Sequence, residues 1–285
     1  MMKSGVLAAA LLLGLVSSRC QNANEISLLV RADDMGSFHD ANVACIKACT
    51  EGIARSIEVM VPCAWFPEAV RLLNENPTID VGIHLVLTSE WEGIKWRPLT
   101  DVPSLVDHDG YFYPQIWGGK DSAHSAYLLK VHWSIQEIEK EMRAQIALAK
   151  KYIPRVSHVS AHMGWSHMDP QAHELFERLA KEYGLRTEEV EGILGMAGWD
   201  NSASLEPMID QFERKINSLT PGTYLFVEHP GLNNAEMHSA IVDSQNTLAL
   251  DRQHVTDIYT SKEVLKALHD KGVTLISYAD LSRMK

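Results

Sequence analysis

Two adjacent carboxylates, Asp33 and Asp34, follow a short apolar run in the first part of the chain. The C-terminal ends of strands carry the chemistry of α/β folds, so these acids are candidates for a site. One carboxylate could ligate a metal ion while its neighbour accepts a proton. Successive side chains of a strand point to opposite faces, so we expect the two acids to diverge, and both need not bind the same ion. The alternative is a pair of solvated acids that cap the following helix.

Two histidines offer the imidazoles that such a metal site needs. His84 lies inside the apolar run of residues 81–87, and His162 follows the strand-like run of residues 158–161. A lone histidine in a strand is more often a satisfied core residue. One carboxylate with two imidazoles, however, makes three protein ligands with room for water, the usual arrangement of a catalytic divalent metal. A metal held in this way lowers the pKa of its water and polarises a carbonyl group.

Three further histidines compete for roles near this site. His229 precedes Pro230 and Gly231 at another strand end and is a reasonable general acid. His158 and His167 are alternative ligands, but His158 would start its strand and so lie far from the site. His167 lies in a turn and could face the substrate or support a ligand. We therefore prefer His162 as the second imidazole ligand.

The elements that must position these residues alternate between strands and helices, which predicts an α/β fold with a parallel sheet. The length suits one α/β barrel domain, for which we expect residues 21–285. The predicted strands are residues 26–32, 57–62, 80–87, 156–161, 185–187, 223–228 and 273–278, and the predicted helices are residues 41–52, 67–75, 135–151, 170–183 and 261–270.

An aromatic-rich segment at about residues 89–133 breaks this alternation. Long loops in compact domains are usually functional or disordered, and the aromatic content argues against disorder. One interpretation is a lid whose rings, such as Trp91 and Trp96, stack on a sugar. The other is a small satellite core beneath a loop. The sequence leaves both open.

Composition limits the partners and the location. The formal net charge is −11 and no block of Lys or Arg occurs, so nucleic acid is a poor partner. Residues 1–20 resemble an export signal: Lys3 precedes an apolar stretch that is too short to span a bilayer comfortably. Cys20 could carry a lipid anchor, although Arg19 departs from a lipoprotein box, and simple cleavage is the alternative. We expect an exported protein, periplasmic or at the cell surface.

Four short motifs contain these candidate residues: Ala-Asp-Asp-Met-Gly at residues 32–36, Gly-Ile-His-Leu-Val-Leu-Thr at 82–88, His-Val-Ser-Ala-His at 158–162 and His-Pro-Gly at 229–231. Together they resemble the YdjC-like carbohydrate deacetylases, which include chitooligosaccharide deacetylase. They occur in the family's order, and a C-terminal pattern of Arg252 followed by residues 272–278 matches as well. The likeness spans about residues 26–282.

The resemblance implies a distorted (β/α) barrel in a single domain. It implies that Asp34, His84 and His162 hold a divalent metal, Zn2+ or Mg2+. Asp33 would be the general base that activates a water, and His229 would act as general acid or stabilise the tetrahedral intermediate. The implied reaction is the hydrolysis of an N-acetyl group from an amino sugar or oligosaccharide. The candidate substrate contacts are Trp165, His167, Arg252, Trp91 and Trp96.

The chain departs from the family pattern after His162. Met-Gly-Trp-Ser-His follows at residues 163–167, so the family's further histidines are lost or shifted, and Ser160 stands where the family often has Asp. This departure keeps a second hypothesis open, a non-catalytic carbohydrate-binding lipoprotein on the same barrel. A glycosidase with two carboxylates is a third reading, for which Glu228 and Asp280 would be the further acids.

Overall fold

The computed structural model describes residues 24–118, 127–241 and 247–281. The predicted export signal over residues 1–20, with Cys20, lies outside these ranges. The strands are β1 (Ile26–Met35), β2 (Ser56–Val59), β3 (Asp80–Leu85), β4 (His158–Ala161), β5 (Arg186–Thr187), β6 (Ile193–Gly195), β7 (Gly222–Glu228) and β8 (Val273–Ile276). The helices are α1 (His39–Thr50), α2 (Phe66–Glu75), α3 (Ile135–Tyr152), α4 (Pro170–Glu182), α5 (Leu205–Ser218), α6 (Ala235–His238), α7 (Leu248–Tyr259), α8 (Lys262–Lys271) and α9 (Tyr278–Leu281).

The strands form one parallel sheet in the order β5-β4-β3-β2-β1-β7-β6. Strand β1 is its centre and has neighbours on both edges. It pairs with β7 over residues 26–32, with β8 over residues 26–29 and with β2 over residues 31–35. The curled parallel sheet with its helices is a distorted (β/α) barrel, which confirms the predicted fold class. Because all strands run the same way, their C-terminal ends meet at one end of the barrel.

Helix α3 shows how the sequence sets an element and its buried face. The Ser134 side chain accepts a hydrogen bond from the backbone N–H of Glu137 and caps the N-terminus. Ile138, Met142 and Ile146 recur every four residues and are all buried. This spacing places them on one side of the helix, which therefore packs against the barrel.

The observed elements extend and correct the prediction. Strand β1 continues to Met35, so the paired acids lie within the strand. Strand β3 ends at Leu85 and β8 ends at Ile276, each two residues before the predicted end. The prediction missed strand β6 and helices α5, α6, α7 and α9. Among the described residues, no helix combines the length and apolarity that crossing a membrane requires.

Much of the aromatic-rich segment packs on the barrel. Trp91, Trp96, Phe112 and Leu128 are buried in the main hydrophobic core. The Trp96 indole N–H also donates to the Thr88 carbonyl oxygen at 2.7 Å. These buried rings offer no open face to a sugar in this conformation, and they belong to the main core instead of a separate satellite core.

Candidate active site

Strand ends bring Asp34, His84 and His162 together, although they are far apart in the sequence. Asp34 is the last residue but one of β1, His84 lies in β3, and His162 follows β4 directly. His162 Nδ1 lies 3.2 Å from His84 Nε2 and 3.5 Å from Asp34 Oδ1. His84 Nε2 lies 3.6 Å from the same oxygen. Donors bound to one tetrahedral ion at about 2.1 Å lie about 3.4 Å apart, so this spacing fits a shared divalent ion.

The Asp34 carboxylate has one free oxygen for such an ion. Its Oδ2 accepts a hydrogen bond from Arg252 Nη2 at 2.6 Å. Its buried Oδ1 has no hydrogen-bond partner among the described residues. A buried carboxylate oxygen without a partner is costly unless a ligand completes it. Burial would raise the pKa of Asp34, but Arg252 and the nearby histidines lower it well below its ordinary value. The group is therefore ionised, as a metal ligand must be.

The backbone at Asp34 explains why the paired acids do not diverge. Asp34 has a φ of 69°, and the pairing with β2 shifts register between Ala32 and Met35. This left-handed conformation is uncommon outside glycine but is tolerated by Asp. As a result, Asp33 Oδ2 lies 3.8 Å from His84 Nε2, close to the 3.6 Å of Asp34 Oδ1. The expectation that the two carboxylates point apart is wrong, because it assumed a regular strand.

The alternative use of these acids as helix caps also fails. Helix α1 begins at His39, and its N-cap residue, Phe38, makes no side-chain capping bond within the described ranges. Asp33 and Asp34 are instead 2% and 1% exposed, with their carboxylates in ion pairs. Their burial and pairing are features of a site and not of a solvated turn.

Asp33 is held by an arginine that the sequence analysis missed. Arg31 Nε and Nη2 donate to its two carboxylate oxygens at 2.8 and 2.9 Å. Arg31 Nη1 also donates to Glu188 Oε2 at 2.8 Å. Burial raises the pKa of Asp33 above its ordinary value, although Arg31 opposes this effect. A buried, oriented carboxylate with a raised pKa is suited to accept a proton.

His162 is oriented by Glu90, a second residue that the sequence analysis missed. His162 Nε2 contacts Glu90 Oε2 at 3.1 Å, which leaves Nδ1 facing His84 and Asp34. Burial alone would lower the pKa of His162, but Glu90 and Asp34 raise it to about 10. The metal-free site therefore holds a proton between the donor atoms.

The pKa of His84 shifts in the opposite direction to that of His162. Burial and the charge of His162 lower its pKa to about 3 in the metal-free protein. Its Nδ1 contacts Ser160 Oγ at 2.7 Å, and Ser160 in turn donates to Glu58. His158 pairs with the other oxygen of Glu58, so it lies behind His84 and not among the ligand atoms. The preference for His162 over His158 as a ligand candidate agrees with this placement.

The donor atoms open into a pocket of about 1,100 Å3. His229 lies in its wall, with a side chain that is 42% exposed. Desolvation opposes its charged form, but the Asp34 and Glu228 carboxylates raise the pKa of His229 above its ordinary value. These carboxylates therefore favour the protonated form of His229 at the open side of the site. The residues that line the pocket include Arg31, Asp33, Asp34, His84, Glu90, His162, Met163, Gly164, His167, Glu177, Glu188, Glu189, Glu191, His229 and Arg252.

Comparison with known proteins identifies the family. The family model described as "YdjC-like protein" matches residues 27–270. The chain belongs to the YdjC-like family. The resemblance indicated by the motifs at the strand ends is therefore confirmed.

Similar proteins cover nearly the whole YdjC-like chain. A carbohydrate deacetylase of Brevibacillus brevis is 29% identical over 273 residues, which are 90% of this chain and 100% of that protein. A chitooligosaccharide deacetylase of Yersinia enterocolitica is 29% identical over 265 residues, covering 89% of this chain and 98% of that protein. A solved structure from Enterococcus faecalis has a TM-score of 0.72 at 22% identity and covers 90% of this chain and 99% of that one. This last likeness shows that the fold is shared.

The candidate substrate contacts of this YdjC-like protein lie in different surroundings. Arg252 and His167 line the pocket, where His167 Nε2 pairs with Glu189 Oε1 at 2.9 Å on the outer rim. Trp165 is fully buried and donates its indole N–H to the Leu85 carbonyl at 2.9 Å.

Trp91 and Trp96 are 2% and 4% exposed. The Trp91 ring lies against the Arg252 guanidinium, and the Trp96 ring lies edge-on to the His162 ring. Contact of any of these five residues with substrate stays a prediction. Trp117, which was not among the candidates, is 44% exposed and lies beside Gly164 of the pocket wall.

Proposed function

We propose that the protein is a metal-dependent hydrolase that removes N-acetyl groups from an amino sugar or oligosaccharide. Its enzyme class, carbohydrate deacetylase, follows from its family and from relatives that bear that name over their full length. One observation carries the metal dependence: Asp34 Oδ1, which has no partner among the described residues, lies 3.5 and 3.6 Å from two imidazole nitrogens. Asp34, His84 and His162 would hold the ion.

A divalent ion at these three donors, when bound, would polarise the acetyl carbonyl and lower the pKa of a water molecule. Asp33 is the residue that takes the proton of the attacking water. Its carboxylate is held in place by two bonds from Arg31 and is adjacent to the donor atoms. Because Arg31 is also neutralised by Glu188, it orients Asp33 without depriving it entirely of its basicity. Zinc suits the ligand set best, and a harder ion such as magnesium is the alternative.

His229 supplies the proton that the leaving nitrogen needs. Its raised pKa keeps a population of imidazolium near neutral pH, and its side chain faces the pocket. As the C–N bond breaks, the amide nitrogen gains this proton and leaves as an amine, while the acetyl carbon keeps the hydroxyl oxygen of the water. The products are acetate and the free amino sugar, and Asp33 and His229 exchange protons with solvent to return to their initial states.

The outer pocket favours a neutral or cationic sugar. Glu177, Glu189 and Glu191 line it, and Arg31 and Arg252 are already paired with acids of the inner site. An anionic sugar would meet repulsion at this rim. Trp117 could offer a face to a sugar ring at the same rim, since its side chain is exposed beside Gly164.

Acetate release from a panel of N-acetylated mono- and oligosaccharides tests the proposal. Exhaustive chelation should abolish turnover, and zinc or magnesium should restore it. Asp34→Ala, His84→Ala and His162→Ala should each lose both bound metal and activity. Full turnover after chelation would refute the metal mechanism. Sugar binding without acetate release from any member of the panel would instead favour the non-catalytic lipoprotein.

We also propose that the enzyme is exported and acts on an extracytoplasmic sugar. The support is the pattern of residues 1–20. Mass spectrometry of the mature protein tests it: a new N-terminus near residue 20 supports cleavage, and added acyl mass on Cys20 supports a lipid anchor. An intact leader on protein in the cytoplasmic fraction would contradict export.

A further inference from the structure

A buried chain of hydrogen bonds runs away from the metal ligands behind His84. His84 Nδ1 lies 2.7 Å from Ser160 Oγ, and the Ser160 hydroxyl donates to Glu58 Oε2. His158 Nε2 pairs with Glu58 Oε1. Glu58, His158 and Ser160 are fully buried, and His84 is 3% exposed. The four side chains come from three neighbouring strands, β2, β3 and β4.

The register of these strands brings the four side chains together. His84 is the direct partner of Ser160, and Gly82 is the partner of both Glu58 and His158. A Cβ on Gly82 would collide with both Glu58 carboxylate oxygens and with His158 Nε2. The lack of a side chain at position 82 therefore makes room for a carboxylate in the middle of the sheet. On its other side, the His158 ring stacks on Tyr278 at 3.9 Å.

The protons available to each group decide which side chain donates and which accepts along these hydrogen bonds. An ionised carboxylate only accepts hydrogen bonds, and a serine hydroxyl has one proton to donate. Because Ser160 gives this proton to Glu58, its oxygen is left to accept the N–H of His84 Nδ1. A neutral imidazole with its proton on Nδ1 has its lone pair on Nε2. This is the nitrogen that lies next to Asp34 and His162.

We propose that Glu58 acts through Ser160 as a positioning residue for the metal centre. The carboxylate fixes the direction of the Ser160 hydroxyl, and this fixes the His84 tautomer that presents Nε2 to the ion. The inference rests on the metal site of the proposed function. A carboxylate or carbonyl group commonly supports a ligand histidine directly. Here Ser160 of β4 links His84 of β3 to the carboxylate of Glu58 on β2.

Two variants and a matched control test this role. Ser160→Ala removes the bridge, and Glu58→Gln keeps the shape but removes the charge. Ser27→Ala is the control, because Ser27 is a buried serine of β1 whose hydroxyl has no partner among the described residues. Zinc affinity is measured by competition with a chromophoric chelator. Loss of a group that supports a ligand typically costs 10–100-fold in metal affinity, which we expect for Ser160→Ala, with a smaller loss for Glu58→Gln.

A second readout needs neither metal nor activity. Nitrogen-15 spectra of histidine-labelled, metal-free protein report which ring nitrogen carries the proton, and the His84→Asn variant identifies the His84 signal. We expect the Nδ1–H tautomer in the wild type and in Ser27→Ala, and a mixture of tautomers in Ser160→Ala. This measurement separates the two proposals, because the His84 tautomer can be determined even if the wild type binds no zinc and the proposed function fails.

A double variant tests rescue. Ser160→Asp alone places a second carboxylate against buried Glu58, so we expect a lower melting temperature and weaker zinc binding. Combined with Glu58→Gln, Asp at position 160 accepts the His84 N–H directly while the new amide donates to it. We expect the double variant to bind zinc more tightly than either single variant. Unchanged zinc affinity and an unchanged His84 tautomer in Ser160→Ala, or no recovery in the double variant, would overturn the proposal.

Discussion

Replacing Asp33 by Asn separates the proposed base from the metal ligands. The change keeps the size of the side chain and removes its charge and basicity. Asp33 is 2% exposed, and both of its oxygens accept bonds from Arg31 at 2.8 and 2.9 Å. Asn retains one carbonyl oxygen for Arg31, and Glu188 still neutralises the guanidinium. The variant should therefore fold and should keep its metal.

The expected magnitudes follow from these contacts. Losing one charge-assisted hydrogen bond costs about 1.5–3 kcal/mol of the free energy of unfolding. Losing a general base lowers kcat by about 10²–10⁴-fold. The zinc affinity should change far less than in Asp34→Asn, because Asp34 Oδ1 is the oxygen nearest both imidazole nitrogens. KM should stay close to that of the wild type, since Asp33 acts on the water and not on the sugar.

The assay is acetate release under saturating zinc, with bound metal determined on the same samples. Asp40→Asn is the matched control: Asp40 is a buried aspartate of α1 that accepts bonds from Asn234 and from the Met237 backbone. We expect it to lose stability but not kcat. Wild-type kcat in Asp33→Asn would refute the assignment of the base. Loss of metal in Asp33→Asn with retention in Asp34→Asn would exchange the roles of the two acids.

Three further predictions concern the surroundings of the ligands. Zinc binding should release about one proton and should tighten as pH rises towards 10, because Glu90 and Asp34 keep His162 protonated in the metal-free site. Calorimetry in buffers of different ionisation enthalpy measures the proton release. A zinc affinity that is flat from pH 6 to 9 would contradict the prediction. Burial would raise the pKa of Glu58, but His158 lowers it to about 2, below its value of 4.5 in the unfolded chain. The ionised Glu58 therefore stabilises the folded state above pH 4.5, and this contribution to the free energy of unfolding is lost as pH falls towards 2. Urea unfolding should therefore show a shallower pH dependence over this window in Glu58→Gln, and equal slopes would refute the effect. Gly82→Ala should cost about 1–3 kcal/mol, because its methyl group has no room beside Glu58, and an unchanged unfolding midpoint would show that this region is loosely packed.

The sequence was sufficient for the parts of the site that depend on local pattern. Asp34, His84 and His162 each follow or interrupt an apolar run, and parallel strands bring their C-terminal ends to one end of the barrel. This geometry made their convergence predictable before any distance was known. Arg31 could have been found in the same way, because it precedes Asp33 by two positions and so lies on the same side of β1.

Other features depend on contacts between distant segments. The left-handed backbone of Asp34 has no signal in the sequence, since Asp is only one of several residues that tolerate it. Helix α7 was missed because its buried set includes Arg252 and Thr256, which break the apolar pattern of an amphipathic helix. The pairing of Glu58 with Ser160 crosses between strands whose order the sequence does not state. Helix α5 did carry a signal, with Met208, Phe212 and Ile216 buried at intervals of four residues.

The most direct test is an anomalous diffraction measurement on crystals of the zinc-loaded protein. We expect one strong peak per chain, within about 2.0–2.2 Å of Asp34 Oδ1, His84 Nε2 and His162 Nδ1. The peak should disappear in His162→Ala crystals grown in the same way. A zinc ion bound elsewhere in the wild type, with these three side chains left uncoordinated, would contradict the central claim.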